Sequence, residues 1–266
     1  MTPRTVLVTG ASSGIGAALV AEYAQRGWRV AMVARRADAL QLLADQLGLD
    51  EQRAFLMPCD MRDVQAWRAQ AARLLAAWGC PDVVIANAGI SVGVLVEDPA
   101  DHAVFNDVMT TNWLGTIATL QPFVTLMRTR GAGTLVGVAS VAGMRGLAGH
   151  AAYSASKAAT IKSLESLRLE LRGTGVRVVT LCPGYIATPL TSKNPFSMPF
   201  LMQPQAFARQ AARAIERGVP YRTIPWQMGV VSLLLRVAPI WLYDRVLSGR
   251  ARKPRAAQGG GGGATH

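Results

Sequence analysis

The chain has 266 residues, half of them hydrophobic and only 17% charged, so it can bury a large core and its body is too apolar for disorder. The net charge of +12 suits anionic partners: a membrane surface, nucleic acid or a phosphorylated cofactor. Cys59, Cys80 and Cys182 are odd in number and widely spaced, and His102, His150 and His266 lack ligand spacing, which argues against a disulfide framework and against a metal site.

The first ten residues lack the charged, apolar and small-residue order of a secretory signal, so a cytoplasmic protein with reduced thiols is expected. Arg4–Thr9 predicts a short buried strand that runs into Gly10-Ala11-Ser12-Ser13-Gly14-Ile15-Gly16 and then a helix over Ala17–Gln25. Strand, glycine-rich turn and helix form the context a phosphate-binding loop needs. Glycine lets the backbone approach a pyrophosphate, and the helix start offers unpaired N–H groups and the positive end of its dipole. The spacing is GxxxGxG rather than the commoner GxGxxG. Trp28–Ala34 predicts the second strand. NAD-binding chains usually end this strand on an acid for the ribose 2′-hydroxyl; this chain has Arg35-Arg36. Two guanidinium groups can grip a 2′-phosphate, which favours NADP(H) over NAD(H). The alternative is a pair of solvent-facing arginines opening the Ala37–Leu47 helix.

Gln52–Pro58 predicts a third strand closed by Cys59-Asp60-Met61, with Asp60 placed to bond an adenine amino group. Arg62–Trp78 carries apolar residues at helical spacing. Asp82–Ala86 predicts a fourth strand, followed by Asn87-Ala88-Gly89, which suits close approach of a ligand or a plain turn. Helical regions over Glu97–Asp107 and Val108–Arg130 hold Asn112, a poor helix former that marks a locally opened ladder or a bound water. Gly133–Ala139 predicts a fifth strand ending at Ser140. Tyr153 and Lys157 then stand four residues apart in helical material that runs to Gly173, so phenol and ammonium share one face. A nearby cation is expected to move the phenol from its ordinary pKa of about 10 towards neutrality, giving a proton donor and acceptor for a carbonyl or alcohol. Val176–Leu181 predicts a sixth strand, ending in Cys182-Pro183-Gly184. The alternation predicts an α/β fold: a single Rossmann-type, doubly wound parallel sheet with helices on both faces. Gly10, Arg35, Asp60, Asn87, Ser140 and Gly184 all fall at strand C-termini, where such sheets bind ligands.

In Thr9-Gly10-(x)3-Gly14-Ile15-Gly16, Asp60, Asn87-Ala88-Gly89, Asn112, Ser140, Tyr153-(x)3-Lys157 and Pro183-Gly184, in this order over residues 4–190, the chain resembles a classical short-chain dehydrogenase/reductase. The resemblance implies hydride transfer between a nicotinamide and a carbonyl or secondary-alcohol carbon. It implies Tyr153 as acid/base, Lys157 as the cation that lowers its pKa and holds the nicotinamide ribose, Ser140 on the substrate oxygen, and Asn112 holding a relay water. The cofactor-binding set it implies is Gly10, Ser12, Ser13, Gly14, Ile15, Gly16, Arg35, Arg36, Asp60, Met61, Asn87, Ala88, Gly89, Tyr153, Lys157, Pro183, Gly184, Ile186 and Thr188. Asn87 and Gly89 line the adenosine side of that set, and Ile186 and Thr188 bind the carboxamide. It also implies a homodimer paired through the two long helices that hold Asn112 and Tyr153.

Residues 1–222 are expected to form the catalytic and NADP-binding domain, with a substrate loop at 185–205; 223–247 form an apolar extension, and 248–266 a basic, then glycine-rich, flexible tail. Ile224–Tyr243 is interrupted by Pro225, Arg236 and Pro239, too broken for the roughly 20 apolar residues of a spanning helix. Its tryptophans and the flank of Arg245, Arg250, Arg252, Lys253 and Arg255 suit an interfacial segment on the cytoplasmic face of an anionic membrane. That arrangement is similar to membrane-associated family members acting on steroids, retinoids or keto-sphingoid bases. Packing over the substrate pocket, on its own or a partner subunit, fits the same residues. Either way a lipophilic substrate is expected, as it is from Phe196, Met198, Phe200, Leu201 and Met202. His150 reads as an exposed loop histidine, with substrate contact as the alternative. Nucleic acid is not an expected partner, since no stacking platform or reading motif accompanies the basic tail. The competing function is a non-catalytic NADP(H)-binding sensor or scaffold, against which the complete Ser140, Tyr153 and Lys157 set argues.

Overall fold

A computed structural model describes residues 3–192, 194–249 and 253–255. Its strands are β1 (Thr5–Thr9), β2 (Arg29–Ala34), β3 (Ala54–Pro58), β4 (Val83–Ala86), β5 (Gly133–Val138), β6 (Val176–Pro183) and β7 (Tyr221–Ile224). Most are short valine-rich runs, and β1 and β4 are buried along their whole length, as strands covered on both faces must be. They form one parallel sheet in the order β3-β2-β1-β4-β5-β6-β7. The helices are α1 (Gly14–Gln25), α2 (Ala37–Gln46), α3 (Val64–Trp78), α4 (His102–Met109), α5 (Gly115–Arg130), α6 (Ala151–Glu170), α7 (Pro204–Glu216), α8 (Trp226–Val237) and α9 (Ile240–Leu247). One face of the sheet buries Leu19, Tyr23, Leu40 and Phe207 from α1, α2 and α7. The other buries Trp67, Leu74, Phe123 and Leu164 from α3, α5 and α6. The expected doubly wound sheet is therefore present. Because β1 has β2 on one side and β4 on the other, the strand order reverses between β1 and β4, which opens a crevice at their C-terminal ends.

Several strand and helix ends lie one to three residues from the expected ones. Glu51-Gln52-Arg53 form a turn ahead of β3, and α3 begins at Val64 because the carboxylate of Asp63 caps it, accepting from the Ala66 N–H at 2.9 Å. The region over Val108–Arg130 is not one regular helix: Thr110–Leu114 form a π-helical turn centred on Asn112. This is the opened ladder that an interior asparagine suggested.

Two elements escaped the sequence reading. Helix α7 turns Phe207, Ala211 and Ile215 inward at helical spacing. Strand β7 pairs with β6 from Thr180↔Tyr221 to Pro183↔Ile224, so the sheet runs across the expected boundary between 222 and 223. The extension is helical beyond it. Helix α8 buries Met228 and Ser232 and exposes Trp226, Leu233, Leu234 and Val237, while α9 exposes Ile240 and Trp241. Tyr243 donates to the carbonyl of Gly146, and the Arg145 guanidinium stacks 4.0 Å over its ring. Among the described residues no helix is long and apolar enough to cross a membrane.

The tail is not flexible throughout. Lys253, Pro254 and Arg255 are docked on the body, with Arg255 bridged to Gly93. Lys253 is buried and Arg255 is ion-paired to Asp98 and Asp101, so two of the five basic residues expected to face a membrane turn inward. Arg250, Arg252 and the glycine-rich run lie outside the described residues.

Candidate active site

The crevice between β1 and β4 opens into a cleft of about 300 Å³. Its floor is the turn from β1 to α1. Thr9 ties the two strands together: its Oγ1 accepts the N–H of Asn87 at 3.0 Å and of Ala88 at 3.1 Å, and Asn87 Nδ2 returns to the Thr9 carbonyl at 2.9 Å. Glycine is required here for two separate reasons. Gly10 has φ +67°, and a Cβ on it would meet Ala88 Cα at 2.9 Å; a Cβ on Gly16 would sit 2.0 Å from the Gly10 carbonyl oxygen. Ser13 stands before α1 in extended conformation without a side-chain cap. The first N–H groups of α1 therefore have no side-chain acceptor and suit an anion.

The cleft brings together Gly10, Ser12, Ser13, Gly14, Ile15, Arg35, Asp60, Met61, Asn87, Ala88, Gly89, Ser140, Tyr153, Lys157, Pro183, Gly184, Ile186 and Thr188. Three residues of the implied set do not line it. Gly16 lies beneath, packed on Gly10. Arg36 is the exposed residue preceding α2. Asn112 is fully buried behind Gly89. Arg35, at the end of β2, does face the cleft. Arg62 was missed by sequence reasoning and also lines it: it pairs with Asp60 at 2.8 Å and Asp107 at 3.0 Å. The Arg62 hydrogen bond holds the Asp60 carboxyl below the usual range, so that carboxylate is already engaged at the place expected for an adenine amino group. A basic residue two positions after the strand-end acid was the available signal.

At the other end of the cleft, α6 presents the phenol and ammonium. Tyr153 and Ser140 both line the cleft, and Ser140 Oγ accepts the Ala142 N–H at 3.1 Å. The Lys157 Nζ donates to the Val138 carbonyl at 2.8 Å and lies 5.9 Å from the Tyr153 ring centroid. Its burial lowers its pKa to about 8. Here one expectation is corrected. The Tyr153 phenol is not depressed by Lys157; burial pushes it up, opposed in part by Ser140. The ammonium spends its bond on a β5 carbonyl, and desolvation, which disfavours phenolate, dominates.

Both side-chain N–H donors of Asn112 are engaged, and its oxygen accepts one bond. Its Oδ1 accepts the Ile90 N–H at 2.8 Å, and its Nδ2 donates to the Ile90 carbonyl at 2.9 Å and to Ser156 Oγ at 3.0 Å. It pins the segment after β4 against α6, and the π-turn is what lets it reach both.

A second cavity, about 380 Å³, is lined by Gly146, Leu147, Ala148, His150, Tyr185, Phe196, Tyr243, Asp244, Leu247 and Ser248, with Tyr185 falling between Gly184 and Ile186 of the cleft. His150 is not an exposed loop residue. It is buried, its Nδ1 faces the Ala148 carbonyl at 3.2 Å, and its ring meets Phe196 edge-on at 5.9 Å. Burial lowers its pKa, which keeps the ring neutral. The loop 185–205 closes on itself where Ala187 N–H bonds the Met202 carbonyl and Met202 N–H bonds that of Tyr185, both at 2.9 Å. Its Phe196 and the α9 residues Tyr243 and Leu247 make the apolar wall. Cys59 and Cys182 are buried thiols pushed up to about 11, so both are neutral.

The residues present fit a phosphorylated dinucleotide: an uncapped helix start, a glycine turn that side chains would fill, and a guanidinium at the end of β2.

Comparison with known proteins identifies the family. The sequence model of short chain dehydrogenases matches residues 4–196. An uncharacterized oxidoreductase of Myxococcus xanthus is 41% identical over 244 residues, covering 92% of this chain and 96% of that protein. The 11-beta-hydroxysteroid dehydrogenase-like 2 protein of Arabidopsis thaliana is 32% identical, over 90% of this chain and 79% of the plant protein. The crystal structure of a variant actinorhodin polyketide ketoreductase with NADPH superposes with a TM-score of 0.76 at 28% identity, covering 85% of this chain and 97% of that one.

Proposed function

This chain belongs to the short-chain dehydrogenase family of oxidoreductases, and on that premise we propose that it is an NADP(H)-dependent enzyme for a lipophilic ketone, aldehyde or secondary alcohol. The observation that carries this reading is the convergence of Ser140, Tyr153 and Lys157 in one cleft with a glycine turn suited to phosphate, while Tyr185, between Gly184 and Ile186 of that cleft, lines a largely apolar second cavity. NADP(H), when bound, supplies or accepts the hydride. The chain does the rest. The N–H groups at the start of α1 and the Arg35 guanidinium hold the phosphates, with Arg62 adding positive charge at the adenosine end. Ser140 and Tyr153 both hydrogen-bond the substrate oxygen. The raised phenol is protonated at neutral pH, so Tyr153 donates its proton to a carbonyl oxygen as negative charge grows there, and Ser140 stabilises that charge. Lys157 binds ribose hydroxyls and, with Asn112 fixing the neighbouring backbone, returns a proton to Tyr153 from solvent.

Support for NADP(H) over NAD(H) comes from Arg35 and from the NADPH-bound ketoreductase relative. Support for a lipophilic substrate comes from Tyr185, Phe196, Tyr243 and Leu247 around the second cavity. An NADPH-oxidation screen over ketosteroids, retinal, long-chain aldehydes, 3-ketosphinganine and 3-oxoacyl thioesters tests the assignment. Turnover with none of them, or equal use of NADH, overturns it.

Attachment to an anionic membrane surface belongs to the same reading. Its support is the exposed face of Trp226, Leu233, Leu234, Val237, Ile240 and Trp241, flanked by Arg236 and Arg245. Cutting at residue 222 would remove half of β7, so the test is substitution: Leu233→Glu with Ile240→Glu and Trp241→Glu should abolish sedimentation with anionic liposomes. Pairing of two copies through α5 and α6 is proposed on the exposed Leu126 and Leu169; light scattering at the monomer mass would remove it.

A further inference from the structure

The docked residues beyond Gly249 are built into place. A Cβ on Gly93 would lie 2.2 Å from the Lys253 carbonyl oxygen, so glycine is what lets the segment pair there. The Gly93 N–H bonds the Pro254 carbonyl at 3.1 Å. Arg255 Nε donates to Asp101 at 3.0 Å, and the same guanidinium pairs with Asp98. Both carboxylates are thereby used up.

Lys253 is left without one. Its side chain is carried into the protein, with the residue 8% exposed. Its Nζ donates to Ser91 Oγ at 2.9 Å and to the Leu190 carbonyl at 3.2 Å, both neutral groups. Among the described residues it makes no ion pair. An ammonium taken from water costs several kcal/mol unless an opposite charge meets it, and two neutral acceptors leave one of its three N–H groups unused. Burial lowers its pKa to about 8, so it is charged at neutral pH.

The position of this cation is informative. Ser91 follows Gly89 and Ile90, which line the cleft, and Leu190 also lines it, so the ammonium is held within hydrogen-bonding distance of the cleft wall. His150, on the wall of the apolar cavity, is close enough to feel the Lys253 charge. The titratable groups around it are then His150, which is neutral, and Arg255 with Asp98 and Asp101, which satisfy one another; the carboxylate of Asp244 lies on the wall of the apolar cavity. We infer that Lys253 anchors a carboxylate on the substrate, so that the carbonyl compound taken by this cleft is an amphiphile, an apolar body ending in an acid. This rests on the reading of the cleft and cavity as the substrate site. The same chemistry could come from the phosphates of the dinucleotide, and the test separates the two.

Decanoate and methyl decanoate are titrated calorimetrically into the full chain and into Lys253→Met and Lys253→Arg, each with and without NADPH. The unaltered protein should bind the acid about tenfold to a hundredfold tighter than the ester, as a charge-assisted bond gives. Lys253→Met should bring the two to equal affinity, Lys253→Arg should keep part of the preference, and NADPH affinity should not change. In the unaltered protein the preference should fade above about pH 9, once the ammonium has lost its proton, which answers the question even if the Met variant does not fold. Equal affinity for acid and ester, binding of neither, or a preference that survives Lys253→Met overturns the inference. Weakened NADPH binding in that variant assigns the ammonium to the cofactor and overturns it too. Failure of every carbonyl in the oxidation screen would instead sink the proposed activity, because this binding measurement needs no turnover.

Discussion

At the rim between β1 and β4, the side chains of Thr9 and Asn87 are satisfied by the backbone beside them and glycines are packed until no Cβ fits, as at Gly16, 2.0 Å from the Gly10 carbonyl oxygen. Along α8 and α9 the pattern reverses: Leu233, Leu234, Val237, Ile240 and Trp241 are each at least 60% exposed, and a few contacts such as Tyr243 to Gly146 hold the segment. A site that must hold a fixed cofactor is specified by local backbone geometry, where almost any change is felt. A wall that selects the substrate is specified by distant contacts and can be rebuilt. The two buried lysines make the same contrast. Both have pKa values lowered to about 8 by burial, yet Lys157 lines the cleft and Lys253 reaches only the Leu190 carbonyl on its wall.

The comparison can be broken at four points. The largest effect is expected at the proton donor: Tyr153→Phe should lower kcat by about 10²- to 10⁴-fold and leave NADPH affinity unchanged by fluorescence titration. An effect on NADPH binding of similar size would mean that the phenol serves the rim. Next, Gly16→Ala forces a Cβ into a backbone oxygen, so the turn must shift. Thermal unfolding should show a loss of about 1–3 kcal/mol, as overpacking gives, together with weakened NADPH binding. A neutral outcome would refute the claim that the rim tolerates no side chain.

Arg35→Glu should reduce the preference for NADPH over NADH by about tenfold to a hundredfold, the worth of one charged hydrogen bond, measured as the ratio of kcat/KM values. The smallest effect is at the strap. Asp98 and Asp101 have carboxyl groups held below the usual range, by backbone N–H donors first and by Arg255 second. Their contribution is therefore complete above the ordinary carboxylate pKa of about 4 and is lost as pH falls through the lowered folded values. The protection factor of the Gly93 amide, its exchange rate set against the intrinsic rate at each pH, should stay high at neutral pH and fall only in that acid range. A protection factor that falls already above about pH 5 would show that the ion pairs are not what holds the strap.

Much of the site was legible because its constraints are local. Gly10, Gly14 and Gly16 encode a turn within seven residues, and Tyr153 and Lys157 encode a shared helix face within five. Helical periodicity also made α3 readable, and the absence of proline and glycine up to Gly173 did so for the helix of Tyr153. Strand β7 was not readable: it has four residues, Tyr221 and Arg222 are exposed, and an edge strand that short has no pattern of its own. The extension's boundary failed for the same reason, since only pairing with β6 reveals where the sheet ends.

What the sequence by itself determined was the alternation of the first six strands with their helices, the glycine turn and the shared face of Tyr153 and Lys157, because hydrophobic period, glycine spacing and helical repeat act over a few residues. Only the tertiary structure decided that Tyr153 is desolvated rather than depressed by Lys157, that Asn112 braces Ile90 to α6, and that Lys253 is carried to the Leu190 carbonyl on the cleft wall. Those outcomes depend on which groups distant in the chain share one small volume, and in a low-dielectric interior it is those neighbours that set the energy of a charge.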